Sequence, residues 1–108
     1  MTVSIAKASI YIDELLTAIE NVYWEANKVE TKDLCFNLIQ LLQSEITELN
    51  KVSVQDNHYE YEIIAFPPTV MGEATEELKS HLKTCVLRTQ TRIQITPLLA
   101  NSTEYFKH

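Results

Sequence analysis

The stretch Ile5–Ala26, IAKASIYIDELLTAIENVYWEA, decides the fold. Ile5, Ala8, Ile12, Leu15, Leu16, Ile19, Val22, Tyr23 and Ala26 recur at steps of three and four, which gathers them on one face of an α-helix. Lys7, Asp13, Glu14, Thr17, Glu20, Asn21 and Glu25 fill the positions between them. The spacing predicts a helix from Thr2 or Ser4 to about Asn27, with a stripe that must be buried against other elements.

Downstream the pattern repeats. Thr31 reads as an N-cap, and Asp33 sits where a carboxylate favours the positive end of a helix. Leu34, Cys35, Leu38, Ile39, Leu41, Leu42, Ile46 and Leu49 then form a broad apolar arc ending near Asn50. The link between these two helices is short, which favours an antiparallel hairpin. Glu45 is the one carboxylate inside that arc, and it is expected at the arc's edge, in reach of solvent.

Residues 52–70 read less uniformly. Asn57 and Glu60 have capping-box spacing, so a short helix is expected, with a short strand over 59–66 as the alternative. Pro67 and Pro68 end either element. A third long helix is expected from near Gly72, with Ala74, Leu78, Leu82, Cys85, Val86, Thr89 and Ile93 on one face. The β-branched run 91–96 leaves open a change to strand at its end. Thr96-Pro97 reads as an N-cap and first-turn proline opening a last short helix through about Tyr105. The expectation is one all-α domain over residues 1–108: an up-down bundle of three long helices plus one or two short ones.

Composition narrows the function. The formal net charge of −6 disfavours nucleic acid and anionic membranes, both of which call for clustered Lys and Arg. A single glycine, Gly72, does not suffice for the phosphate-cradling loops of dinucleotide folds or P-loops. No signal peptide or membrane span is read in the first residues, so a cytoplasmic protein with two free, buried thiols, Cys35 and Cys85, is expected. No metal or other cofactor is expected. His81 and Cys85 stand four apart on a helix without further ligands, and Asp56, Glu60 and Glu62 lack calcium-loop spacing. Nucleophilic catalysis finds no Gly-x-Ser-x-Gly turn, and an enzyme is not expected.

Three features remain as candidate binding surfaces. Ile10 and Trp24 lie off the core stripe and, fourteen residues apart, on the same side of the first helix, with Ala6 and Thr17. They suit contact with a second copy or another protein; the alternative is that another element of the bundle covers them. Tyr59, Tyr61 and Phe66, beside the proline pair, form either a docking surface or a plug for the bundle's end. His81, Arg88 and Arg92 follow Glu77 along one flank of the expected third helix, where they could bind an anion or lie solvated.

Within that flank, Ser80-His81-Leu82-Lys83-Thr84 resembles the phosphorylatable histidine segment of histidine phosphotransfer domains, which are small acidic helical bundles. The resemblance covers five residues and implies His81 as the phosphate acceptor. The family has one residue between His and Leu-Lys and a glycine after Lys. Here Leu82 follows His81 directly, and Thr84 takes the glycine's place. The leading functional expectation is a non-enzymatic, self-associating interaction or regulatory protein; the alternative is an anion-binding or phosphotransfer-like module using His81.

Overall fold

A computed structural model describes residues 3–106, and their helices form an all-α bundle. The helices are α1 (Ile5–Glu25), α2 (Val29–Leu49), α3 (Pro68–Leu82), α4 (Thr89–Ala100) and the single turn α5 (Ser102–Tyr105), with a 3₁₀ turn at Val54–Asp56. Contacts between packed segments run in opposite senses, as an up-down bundle requires. On α1 and α4, Glu25 meets Arg88, Asn21 meets Gln94 and Tyr11 meets Leu98. On α2 and the chain that follows it, Glu45 meets Ile64 and Thr31 meets Cys85.

The apolar stripe of α1 forms the centre of the core, packed against α2 on one side and α4 on the other. Ile12, Leu15, Ile19, Val22, Leu38, Leu42, Met71, Leu78 and Ile95 are fully buried together. The core face of α1 is broader than its aliphatic spacing implies, because Tyr11 and Ala18 are buried too. Tyr11 donates its hydroxyl to the Leu98 carbonyl at 2.5 Å and stacks on Tyr105, with ring centres 3.8 Å apart. Phe106 closes that end of the bundle.

Ser4 caps α1, its hydroxyl accepting from the Lys7 N–H at 3.2 Å. Two amides at the helix start have no intrahelical partner. The chain after the 3₁₀ turn supplies them: Ile5 N–H donates to the Tyr59 carbonyl at 2.9 Å and Ala6 N–H to that of Asn57 at 3.0 Å. After a turn at 57–59 the chain therefore crosses the start of α1 without regular structure, with an isolated antiparallel bridge between Ser4 and Glu60. The short helix expected here does not form, and the strand alternative reduces to that bridge. The Asn57 and Tyr59 carbonyls accept from α1, the Tyr61 amide donates to the Val3 carbonyl and the amides at 64 and 65 to Glu45, bonds that a helix over this stretch would have to give up.

Other boundaries differ from expectation for equally local reasons. Helix α2 begins before Thr31, whose side chain is buried with its hydroxyl 3.4 Å from the Cys85 sulfur; Lys28 takes the cap position. Helix α3 begins at Pro68, where the missing N–H costs nothing, rather than near Gly72. The expected third helix is two helices. It stops at Leu82, crosses residues 83–88 without helical structure, and restarts at Thr89. The interruption takes Val86 out of the helix and resets the phase for Ile93, so these two residues, both expected in the core, are 81% and 67% exposed. Residues 91–96 are helical, not strand, and Thr96-Pro97 lies inside α4 instead of opening a new helix.

Candidate functional site

A groove of about 540 Å³ lies between α1 and α4, lined by Asp13, Glu14 and Thr17 from α1 and by Ile93, Gln94, Pro97 and Leu98 from α4. The α4 side is there because of the phase reset, which turns Ile93 outward beside Pro97. Pro97 has no N–H, so the Ile93 carbonyl, four residues earlier, loses its ordinary helical donor. The Thr17 hydroxyl is committed to the Asp13 carbonyl at 3.1 Å. The remaining polar lining on the α1 side is the two carboxylates of Asp13 and Glu14. One end of the groove is bridged by Asn21 and Gln94 at 3.1 Å.

Ile10 and Trp24 lie on α1 beyond the two ends of this groove's lining. Positions 10, 14, 17, 21 and 24 fall on one line of the helix surface, so both residues share a side with its lining. Ile10 is 62% and Trp24 77% exposed, and no other element covers them. Ile10 also lines a smaller depression with Lys7, Tyr11, Glu14, Leu98, Asn101 and Tyr105, which continues the groove toward the bundle's end. Trp24 is held at its base by an edge contact with Tyr23, at 5.2 Å between centres.

The aromatic cluster is divided. Tyr59 is exposed and rests against His58, with ring centres 4.4 Å apart. Tyr61 points inward instead: its hydroxyl donates to Glu45 at 2.5 Å, and burial, then that bond, raises its pKa far above the ordinary tyrosine value. Phe66 is half-buried against the core. Tyr61 and Phe66 thus plug the bundle, and only Tyr59 is presented to solvent. Glu45, expected at a solvent-reaching edge, is fully buried and also accepts from the amides of Ile64 at 3.1 Å and Ala65 at 2.9 Å. It was legible as a carboxylate within an apolar arc; what it binds was not.

The flank of His81, Arg88 and Arg92 does not assemble as a helical row, because the helix breaks between His81 and Arg88. His81 places Nδ1 3.1 Å from the Glu77 carbonyl. Arg88 takes the cap position of α4 and donates its backbone N–H to Glu25 at 2.9 Å. Glu25 accepts from the Thr91 hydroxyl as well, and these two bonds, Thr91's first, hold its carboxyl below the ordinary glutamate range. Arg92 turns back over the end of α3, donating to the carbonyls of Leu82 at 3.1 Å and Cys85 at 2.6 Å. There it shares a depression with Lys79 and Lys83, two residues the helical-row reading passed over. Their i, i+4 spacing at the end of α3 was the available signal.

Cys35 is buried and Cys85 half-buried, so only the first matches the expected buried thiol; both are free. Burial, then the neighbouring Cys85, pushes the Cys35 thiol up to about 12. Among the described residues no cluster of three His, Cys, Asp or Glu side chains is placed to hold a metal ion, and no helix is long and apolar enough to cross a membrane.

No family model matches the chain, and no curated protein or solved structure matches it.

Proposed function

We propose that this chain is a non-enzymatic interaction protein that receives an amphipathic helix with basic flanks along the α1/α4 groove. The observation that carries the reading is the pairing of exposed apolar residues, Ile10, Trp24 and Ile93, with groove carboxylates that only accept hydrogen bonds. An apolar helix face would cover Ile93, Pro97 and Leu98, and Lys or Arg on its flanks would meet Asp13, Glu14 and the Ile93 carbonyl. At about 1.5 Å per residue, α1 offers a track some 30 Å long for such a ligand. The non-enzymatic part rests on how the perturbed groups are used. Tyr61 is bonded to Glu45 and Glu25 to Thr91, each in a contact that holds elements together.

A second copy suits the same face less well. Antiparallel pairing of α1 about Thr17 would set Ile10 against Trp24, but it would also bring Glu20 of each copy to the level of Asp13 and Glu14 of the other. Like charges gathered along one seam are unfavourable.

The test uses a helical peptide of Leu and Lys four turns long and its Leu/Glu counterpart. The basic peptide is expected to blue-shift the fluorescence of Trp24, the chain's single tryptophan, and to perturb amides over 10–24 and 93–98. The acidic peptide is expected to do neither, and the double substitution Asp13→Lys, Glu14→Lys is expected to abolish the response. Equal responses to both peptides, or none, would refute the reading. A concentration-dependent dimer that Trp24→Ala dissociates would give the face to a second copy and also overturn it.

A further inference from the structure

Positive charge is scarce in this chain: nine Lys and Arg stand against fifteen Asp and Glu. Three of the nine, Lys79, Lys83 and Arg92, nevertheless line one depression of about 240 Å³ between the second half of α3 and α4, and no carboxylate lines it. Its other walls are Leu82, Thr96, Leu99 and Ala100. Leu82 and Leu99 belong to the buried core, so they form a fixed apolar floor rather than mobile surface side chains.

The three cations differ in how they are held. Arg92 is pinned by its bonds to the Leu82 and Cys85 carbonyls, which use two of the five guanidinium N–H groups. That contact also offsets the negative end of α3, which would otherwise repel an anion here. Lys79 reaches Glu76 at 3.4 Å in an exposed i, i+3 pair, an interaction weak enough to exchange for a better acceptor. Lys83, one turn on and exposed, has its Nζ donors available to solvent.

We propose that this pocket binds a small amphiphilic anion, a carboxylate or phosphate on a short hydrocarbon body, with the headgroup on Lys79, Lys83 and Arg92 and the body on Leu82 and Leu99. The size sets the class. The depression has room for roughly eight waters, at about 30 Å³ each, less than the usual site for a drug-sized ligand. A long acyl chain does not fit, and a headgroup with about four to six carbons does. The site lies between α3 and α4, away from the α1/α4 groove, and stands independently of the helix-docking reading.

The experiment is an amide NMR titration of the whole chain with butyl phosphate, hexanoate, inorganic phosphate and butanol. Both amphiphilic anions are expected to shift the amides around Lys79–Lys83 and Thr96–Ala100 saturably. Butyl phosphate is expected to bind roughly tenfold more tightly than inorganic phosphate, since the butyl group adds apolar contact. Lys79→Gln with Lys83→Gln, both away from the core, is expected to weaken butyl phosphate at least about tenfold while leaving the remaining spectrum unchanged. Three results would each overturn the proposal. These are equal affinity for butyl and inorganic phosphate, saturable shifts with butanol alone, or unchanged affinity in the double variant. A response to only one of the two amphiphilic anions restricts the headgroup to that chemistry and refutes the shared class.

Discussion

The Tyr61 hydroxyl donates to the Glu45 carboxylate across 2.5 Å, fastening the segment after the 3₁₀ turn to the middle of α2 where both side chains are buried. Ile64 and Ala65 add their amides to the same carboxylate, so one side chain replaces the backbone pairing that a helix or strand would have supplied. The same segment also satisfies the first amides of α1. Glu45 therefore holds, at one remove, the start of the central helix.

Removing that carboxylate has a defined cost. Glu45→Ala leaves three donors without their acceptor, and a loss of about 3 kcal/mol or more is expected in denaturant unfolding. Tyr61→Phe removes one donor and is expected to cost about 1.5 kcal/mol. Hydrogen exchange separates this from general loosening, because the Ile64 and Ala65 amides are expected to accelerate first in Glu45→Ala. Unchanged exchange at those two amides would refute the arrangement.

Glu25 makes stability depend on pH in the acid range. Its carboxyl is held below the ordinary glutamate range by the Thr91 hydroxyl and the Arg88 amide. A depressed folded-state value means that its contribution is complete above about pH 5 and drains as pH falls through the folded value. Glu25→Gln is expected to be less stable than the parent at neutral pH, with the gap narrowing by about pH 3. Urea midpoints at the two pH values test this, and a gap that widens on acidification would contradict it.

The two thiols are expected to react in a fixed order. Cys35 is buried and its thiol is pushed up to about 12, whereas Cys85 is half-buried beside Thr31. With a disulfide reagent near pH 8, Cys85 is expected to be modified in the folded protein and Cys35 only on unfolding. Cys85→Ser would then leave no thiol that reacts without denaturant.

Tyr11 ties α1 to the chain's last helical turns through its bond to Leu98 and its stack on Tyr105. Tyr11→Phe keeps the stack and is expected to cost about 1 kcal/mol. Tyr11→Ala removes the ring from the core and is expected to cost about 3 to 5 kcal/mol. Thermal unfolding of the two variants gives the ratio.

Helical class and the faces of α1 and α2 were legible because amphipathic periodicity is a local property, carried by residues three and four apart. The exposure of Ile10 and Trp24 was legible for the same reason: both violate the stripe. What failed was phase. Nothing between Leu82 and Thr89 marks a break as a proline or glycine would, so one continuous helix was the simplest reading. That reading placed Ile93 in the core and aligned Arg92 with His81. The break is supported from outside the segment, by Arg92 over the end of α3 and by Glu25 at the start of α4.

By itself, the sequence determined an acidic all-α chain, the buried stripe of its first helix, and the unpartnered positions opposite that stripe. Each follows from local spacing and side-chain chemistry. Tertiary structure alone decided the partners of Glu45, Glu25 and Arg92, the α1/α4 groove, and the gathering of Lys79, Lys83 and Arg92 around an apolar floor. Those features join residues from separate helices. Their geometry depends on where each helix starts and stops, and contacts distant in sequence bear on that, as Glu25 does at the start of α4 and the carbonyls of Asn57 and Tyr59 do at the start of α1.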